Sequence, residues 1–311
     1  MRNVSYPAMA LILAMLSGCG GGGEVNSTPT PVPSPTPTPG QRNSNLTNLQ
    51  FNESFANRGA TLSATAVIEG GVLTANEIAG DQANLSLQYD ANSRSYTVSV
   101  DGESQTFAPS DLDRRPELDV YTKDSNRITD VLILFRTGTP DSGLNLTYAS
   151  YGGWLRTDGN ELSLNSKQTY FVYGIPTQAS DLPRTGSATY TTIVDGFWAR
   201  PDALYSLGGT SSLSANFATG KVSTNMTLSG AHIGILGYTP SEPQANLGTL
   251  SGSATINRAD ASFSGTLAGS GYNGTLNGMF FGPQAAEVGA SFSINNGAGS
   301  TASGAIIGKK N

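Results

Sequence analysis

The order of apolar and polar residues predicts β structure along almost the whole chain from residue 46 onward. Short runs rich in Thr, Val, Ile, Tyr and Phe alternate apolar with polar residues, and Gly, Asn and Asp separate these runs. The pair Asp101-Gly102 suits a tight hairpin turn, and the apolar run within 130–135 is typical of a strand buried on both faces. Only 111–118 allows a single helical turn. Strands are expected at 94–100, 130–135, 145–156 and 170–175.

The spacing becomes regular in the second half of the chain. Short turns separate runs of similar length, and one face of each run carries mainly Ser, Thr, Ala and Gly. An even number of such strands predicts an up-and-down antiparallel barrel, which leaves no exposed sheet edge. The eight strand candidates are 187–197, 211–217, 221–229, 249–257, 261–268, 273–281, 286–294 and 301–307.

A transmembrane barrel would show the same alternation, but it would carry longer strands of lipid-facing apolar residues and aromatic girdles. The second half of this chain is too polar for that. Ser214, Asn216, Thr224 and Ser251 stand on strands that a lipid-facing wall would need to be apolar. The pattern therefore favours a barrel in water.

The first 18 residues have the pattern of an export signal. Arg2 supplies a positive charge, and the apolar stretch that follows is too short to span a bilayer. The signal ends in Leu16-Ser17-Gly18-Cys19, which resembles the lipobox of bacterial lipoproteins. Cys19 is the chain's only cysteine and has no disulfide partner. We therefore expect a lipid on Cys19 and, because Gly20 follows it, anchoring in the outer membrane with exposure at the cell surface.

Composition divides the rest of the chain. Residues 19–45 alternate Pro with small polar residues after a Gly run, which predicts an extended linker. The β pattern breaks again near 176–185, where Pro and Gly interrupt it. We therefore expect a β-rich unit at 46–178 and the barrel at 179–311.

Charge and residue counts exclude several functions. The 17 Lys and Arg against 23 Asp and Glu give a net charge of −6, which counts against nucleic-acid binding. With one Cys and one His, no disulfide scaffold or Cys/His zinc site is expected. The acidic residues at 111–119 lack the Gly and Glu of a calcium loop. We expect no catalytic residues, no metal and no cofactor.

Two groups of residues are candidates for ligand contacts. The interruption at 230–246 contains His232 and Tyr238, either of which is a candidate axial ligand for a haem, unless the segment only covers the barrel end. On the first long connection of the barrel, Phe197, Trp198 and Tyr205 are either anchors for a protein partner or part of the core.

Three motifs resemble the transferrin-binding protein B family. Residues 280–292, which begin Phe280-Phe281-Gly282-Pro283 and include Glu287, resemble the signature of that family's barrel. Residues 186–190 resemble the motif that opens its first strand, and 173–177 its preceding linker. Gly289-Ala290 departs from the family's Gly-Gly pair. The resemblance implies one lobe, a β-rich handle domain at 46–178 followed by the barrel.

The signature is expected to be structural. We predict that Gly282 and Pro283 form a turn, that Phe280, Phe281 and Phe292 fill the barrel, and that Glu287 hydrogen-bonds the backbone of a turn. It therefore identifies the fold rather than the ligand.

The resemblance implies a non-enzymatic outer-membrane surface lipoprotein, since family members bind transferrin, lactoferrin, haem or haemoglobin, or complement factor H. We expect capture of an iron- or haem-carrying protein, or of a small solute, for uptake through an outer-membrane transporter. An adhesive or host-factor-binding lipoprotein without a transport role is the alternative.

Overall fold

The computed structural model describes residues 42–69, 72–138, 144–160, 163–201, 203–233 and 243–311. These residues form a ten-stranded antiparallel sheet and a closed antiparallel barrel of eight strands. The predicted all-β fold with an eight-stranded up-and-down barrel is confirmed. No helix among the described residues is both long enough and apolar enough to cross a membrane.

The sheet is built from the first half of the chain. Its path runs β5-β4-β3-β1-β10-β9-β8-β7-β6, and β2 pairs with β1 beside that path. Its strands are β1 (Glu53–Glu69), β2 (Val72–Ala83), β3 (Leu85–Asp90), β4 (Ser95–Val100), β5 (Glu103–Phe107), β6 (Leu112–Arg114), β7 (Leu118–Ser125), β8 (Ile128–Phe135), β9 (Ala149–Gly159) and β10 (Ser163–Gly174).

The sheet curls so that one face encloses its own core. Tyr121 on β7 contacts Phe107 on β5 with ring centroids 6.1 Å apart, although the two strands lie far apart along the sheet path. The predicted strand at 130–135 lies within β8 and is buried on both faces. The predicted hairpin at Asp101-Gly102 joins β4 to β5. The segment 111–118 differs from expectation, because it holds a 3-10 turn over Pro109–Asp111 and then β6.

The barrel is built from the second half of the chain. Each strand pairs with the next, and β11 pairs with β18 to close the barrel. Its strands are β11 (Ser187–Arg200), β12 (Ala203–Asn216), β13 (Lys221–His232), β14 (Gln244–Asn257), β15 (Ser262–Gly269), β16 (Tyr272–Phe281), β17 (Glu287–Asn295) and β18 (Thr301–Lys310).

Side chains fill the barrel interior, and the strand period of two explains how. On β13 every second residue is buried and every other one is exposed until the strand reaches its last two residues. The inward residues are Val222, Thr224, Met226, Leu228 and Gly230; the outward residues are Lys221, Ser223, Asn225, Thr227 and Ser229. The outer wall is thus mainly hydroxyl and amide groups.

The strands extend further than the sequence pattern indicated. Phe197 and Trp198 lie inside β11, and Tyr205 lies inside β12, so the expectation that they occupy a connection is wrong. Cross-strand pairs such as Trp198↔Tyr205 continue the ladder almost to the turn at Pro201. His232 likewise ends β13 rather than lying in a loop at 230–246. Tyr238 lies outside the described residues.

The sheet packs on the outer face of the barrel. Small outward residues allow this approach: a Cβ at Gly289 on β17 would lie 2.8 Å from Cβ of Val172 on β10. Phe281 lies in this interface, packed with Val172 and Ala305, whereas Phe280 and Phe292 lie inside the barrel. The expectation that Phe281 fills the barrel is therefore wrong. Neighbouring residues of a strand point to opposite faces, so Phe280 and Phe281 cannot share one core.

The folded part also begins earlier than residue 46. Asn43 is buried, and its amide donates to the Phe51 carbonyl over 2.8 Å and to Glu53 Oε2 over 2.9 Å. Its side-chain oxygen accepts the Gln50 N–H. Asn43 therefore fastens the start of the folded chain to β1.

Candidate functional site

One end of the barrel gathers most of the aromatic candidates, and we call it the aromatic end. It is formed where β11 and β13 end and where β12, β16 and β18 begin. Its defining residues are Trp198, Arg200, Tyr205, His232, Tyr272 and Ser300.

A buried hydrogen-bond network holds the aromatic end together. Trp198 Nε1–H donates to Ser300 Oγ over 2.8 Å and to the Tyr272 hydroxyl over 3.1 Å. The two hydroxyls lie 2.8 Å apart, and Ser300 Oγ also donates to the Ala199 carbonyl over 3.3 Å. These polar side chains are buried and have partners, as groups removed from water require. The network fixes the position of the Trp198 ring.

The rings form a stack that leads from the barrel interior to solvent. Trp198 and Tyr205 stack with centroids 4.9 Å apart, and His232 meets Tyr205 edge-on at 5.5 Å. The Arg200 guanidinium lies 5.7 Å from the Trp198 centroid and 5.9 Å from that of Tyr205. A Cβ at Gly230 would lie 2.6 Å from Tyr205 Cβ, so the stack requires glycine there.

Arg200 and His232 are the members of the stack that remain partly exposed. Trp198 and Tyr205 are buried beneath them. The arrangement places a partly exposed guanidinium and a partly exposed imidazole above two buried rings, and such groups can contact a ligand.

The structure brings three predicted residues together and separates a fourth. Trp198, Tyr205 and His232 share the aromatic end, but Phe197 faces the sheet, where its ring lies 5.3 Å from that of Tyr170. Arg200, Tyr272 and Ser300 were not singled out from the sequence, because they join the cluster only through contacts between distant strands.

Two of the acidic residues at 111–119 are paired with arginines. Asp113 lies 3.1 Å from Arg115, and Asp119 lies 3.4 Å from Arg114. Within the described ranges, no three His, Cys, Asp or Glu side chains are grouped so as to hold a metal ion.

At the opposite end of the barrel, Glu287 links the barrel to the sheet. Its carboxylate accepts the N–H groups of Thr147, Tyr148 and Ala149 over 2.7–2.8 Å. Burial raises the pKa of Glu287 above its ordinary value, and the three N–H groups limit that rise. The predicted hydrogen bonding of a backbone segment by Glu287 is thus observed, and its target is the segment that leads into β9.

The rest of the signature forms the turn beside Glu287. Gly282 adopts φ 69°, and a Cβ there would clash with the Tyr148 ring. The Thr177 hydroxyl donates to the Gly282 carbonyl over 2.6 Å, which fastens the linker from β10 to this turn.

Asp195 on β11 is the most strongly perturbed carboxyl group at the sheet–barrel interface. Burial raises its pKa to about 7, while the Gly196 N–H and the Tyr170 hydroxyl oppose the rise. Tyr170 comes from β10, so the pair spans the interface. The Tyr170 hydroxyl forms no hydrogen bond of normal geometry within the described residues, and burial raises its pKa well above the ordinary value.

This pair predicts a pH-dependent stability. The folded-state pKa of Asp195 exceeds the value of about 3.9 in an unfolded chain, so its contribution is complete below about pH 4 and disappears as the pH rises through about 7. Asp195→Asn should therefore stabilise the protein at pH 8, on the order of 2–4 kcal/mol. Urea unfolding from pH 4 to pH 8 measures this, with the exposed Asp124→Asn as control. Parallel pH profiles for wild type and Asp195→Asn would contradict it.

The second half of the chain is a closed, packed β barrel with a cluster of aromatic side chains at one end. This half of the chain matches the sequence model of the C-lobe and N-lobe β barrels of transferrin-binding protein B over residues 175–310. Residues 175–310 are therefore similar to the barrels of transferrin-binding protein B, which confirms the resemblance read from the signature at 280–292. A search of curated proteins found no match.

Solved structures of transferrin-binding protein B align with this chain at low sequence identity. A double mutant of the Haemophilus parasuis protein is 18% identical to this chain. The aligned part covers 76% of this chain and 46% of that protein, with a TM-score of 0.44. The isotype 1 protein of serogroup B Neisseria meningitidis is 21% identical and covers 80% and 43%, with a TM-score of 0.43. A mutant from Actinobacillus pleuropneumoniae is 15% identical and covers 81% and 99%, with a TM-score of 0.40. The chain thus spans less than half the length of the first two proteins.

Proposed function

We propose that the protein is a non-enzymatic surface lipoprotein, anchored in the outer membrane through Cys19, that binds a protein ligand with its aromatic end. One observation carries this proposal: the first described residues reach the fold at one end of the barrel, and the aromatic end lies at the opposite end of the barrel. An anchored protein of this shape would present the aromatic end to the surroundings.

The entry point follows from backbone hydrogen bonds. Leu46 N–H donates to the Thr147 carbonyl over 2.9 Å, and Thr147 N–H donates to Glu287 at the start of β17. Ser300 of the aromatic end lies in the turn after β17. Since a strand rises about 3.3 Å per residue, the nine residues of β17 run for roughly 30 Å along the strand from one end of the barrel to the other.

The packed barrel interior favours a macromolecular ligand over a small solute held inside. The interior rings of Phe263, Phe280 and Phe292 are fully buried, together with the aliphatic side chains around them. The family match favours an iron-carrying protein such as transferrin as the ligand. Delivery to an outer-membrane transporter is part of the proposal, and adhesion without transport is its alternative.

Binding to named proteins tests this function. The soluble mature chain with Cys19→Ser would be measured by biolayer interferometry against iron-loaded transferrin and haemoglobin, and by the Soret band against haem. We expect saturable binding of an iron-carrying protein, weakened at least about tenfold by Arg200→Ala with His232→Ala. Lys221→Ala, which removes an exposed cation from the outer wall near the opposite end, is the matched control.

Two results would count against the proposal. Unchanged affinity of the Arg200→Ala, His232→Ala variant, with its fold intact, would remove the aromatic end from the binding site. Absence of binding to all three probes at micromolar concentration would favour the adhesive alternative.

The lipid anchor gives a separate prediction. Cys19→Ser removes the thiol that accepts the lipid, so the protein should move from the membrane fraction to the soluble fraction of cells. Its far-UV circular dichroism should stay that of a β protein, because the substitution replaces one side-chain atom outside all the described strands. Fractionation with immunoblotting measures this, and retention of the variant in membranes would contradict the anchor.

A further inference from the structure

A polar groove of about 460 Å³ lies on the sheet, away from the aromatic end. It is formed where β1 begins and where β3 turns into β4, and it is largely open to solvent. Gln88, Tyr89 and Asp90 all line it. Successive residues of a strand point to opposite faces, so the groove runs over the end of the sheet.

The lining defines the chemistry that the groove can accept. None of the residues that line it is basic, and two of them, Glu53 and Asp90, are acidic, so an anion such as phosphate is disfavoured. Within the described chain no metal-binding group of side chains exists. The remaining lining is one tyrosine with hydroxyl and carboxamide groups, so polar atoms make up more than half of its surface.

Several lining groups are fixed in place by neighbours. Asp90 Oδ1 accepts the Ser93 N–H over 2.8 Å and the Ser93 hydroxyl over 2.9 Å, which lowers the pKa of Asp90. Glu53 Oε2 accepts the Asn43 amide over 2.9 Å. The Tyr89 ring packs against Tyr96 with centroids 5.0 Å apart. Both carboxylates and the ring are thus held in place at the groove by neighbouring groups.

We propose that this groove binds a neutral sugar residue. A sugar offers hydroxyl groups to carboxylates and carboxamides and an apolar C–H face to an aromatic ring, and these are the groups that the groove combines. No charge is needed on the ligand, and the preset partners reduce the ordering cost of binding.

The position of the groove indicates the source of the sugar. Asn43, which holds Glu53, is the second described residue of the chain, so the groove lies where the linker enters the fold. If Cys19 anchors the chain as proposed, this end faces the membrane, and the sugar belongs to the polysaccharide of the cell's own surface. Only this placement, and not the chemistry of the groove, rests on the proposed function.

Saturation-transfer NMR on the Cys19→Ser mature chain tests the groove with a panel of neutral hexoses, N-acetylhexosamines, spermidine and inorganic phosphate. We expect transfer to at least one neutral sugar, with affinity reduced at least about tenfold by Gln88→Ala with Asp90→Asn. Gln105→Ala, on the same sheet but outside the groove, should keep wild-type binding. Tyr89→Leu should weaken the sugar signal as well, through loss of the ring.

Three outcomes would overturn the proposal. The first is that no sugar shows saturation transfer at millimolar concentration. The second is that the Gln88→Ala, Asp90→Asn variant still binds the sugar with wild-type affinity. The third is that the protein binds spermidine more tightly than any sugar. None of these depends on the aromatic end, since Arg200→Ala with His232→Ala leaves the groove unchanged. A failure of sugar binding at the groove can therefore be distinguished from a failure of protein binding at the aromatic end.

Discussion

Glu287→Ala is expected to lower the free energy of unfolding by about 3–5 kcal/mol and to uncouple the sheet from the barrel. The substitution leaves three N–H groups without an acceptor, that of Ala149 buried and those of Thr147 and Tyr148 half-buried, and a fully buried group of this kind costs about 1–3 kcal/mol. Because the carboxylate is the barrel's contact to the segment before β9, the loss falls on the interface between the two parts.

The two tryptophans make this measurable. Trp154 lies in the sheet and Trp198 in the barrel, so Trp154→Phe and Trp198→Phe variants each leave one fluorescent reporter. In the parent protein the two urea transitions should coincide, and with Glu287→Ala they should separate. Glu103→Ala is the control, since its exposed pair with Lys167 is worth about 0–1 kcal/mol. If the Trp154 and Trp198 transitions of the Glu287→Ala protein coincide and are not shifted, the three hydrogen bonds do not contribute this much to the free energy of unfolding.

Phe281→Ala should cost about 3–5 kcal/mol, as the truncation of a fully buried ring does. The ring lies between sheet and barrel, so we expect this loss also to separate the Trp154 and Trp198 transitions. Phe280→Ala, one residue earlier, removes a ring from inside the barrel and should shift mainly the Trp198 transition.

The half-buried Phe135, stacked on Tyr151 with centroids 3.9 Å apart, gives a milder comparison within the same interface. Phe135→Ala should cost less than Phe281→Ala. If Phe281→Ala were as stable as the parent protein, the interface would hold without the ring, and the sheet–barrel contact would rest on its hydrogen bonds.

The barrel was predictable from the sequence because strand alternation is local information. On β13, for example, the polarity of each residue indicates whether its side chain points into the barrel or out to solvent. The faces of Phe280 and Phe281 were harder to assign, because both rings are apolar and a shift of one residue exchanges the two sides of a strand. Both sides are buried here, so hydrophobicity could not choose between them.

The order of strands in the sheet could not be predicted in this way. Its central pairing joins β1 to β10, with Ala60 opposite Tyr170, and nothing local in either strand identifies its partner. The same holds for the aromatic end. Trp198 was singled out as an aromatic residue, but Tyr272 and Ser300 matter only because the closed barrel places them beside its indole N–H.

The contact of Glu287 with the sheet has a consequence for how such proteins can diversify. The carboxylate recognises main-chain N–H groups of Thr147, Tyr148 and Ala149, and it reads none of their side chains. A sheet with other residues at these three positions but the same backbone path would therefore donate the same three hydrogen bonds to Glu287. Sheets that differ at these three positions can therefore be joined to the same barrel if they keep the packing of Val172 on Phe281, and chimeras joined at 175–177 are a practical way to build them.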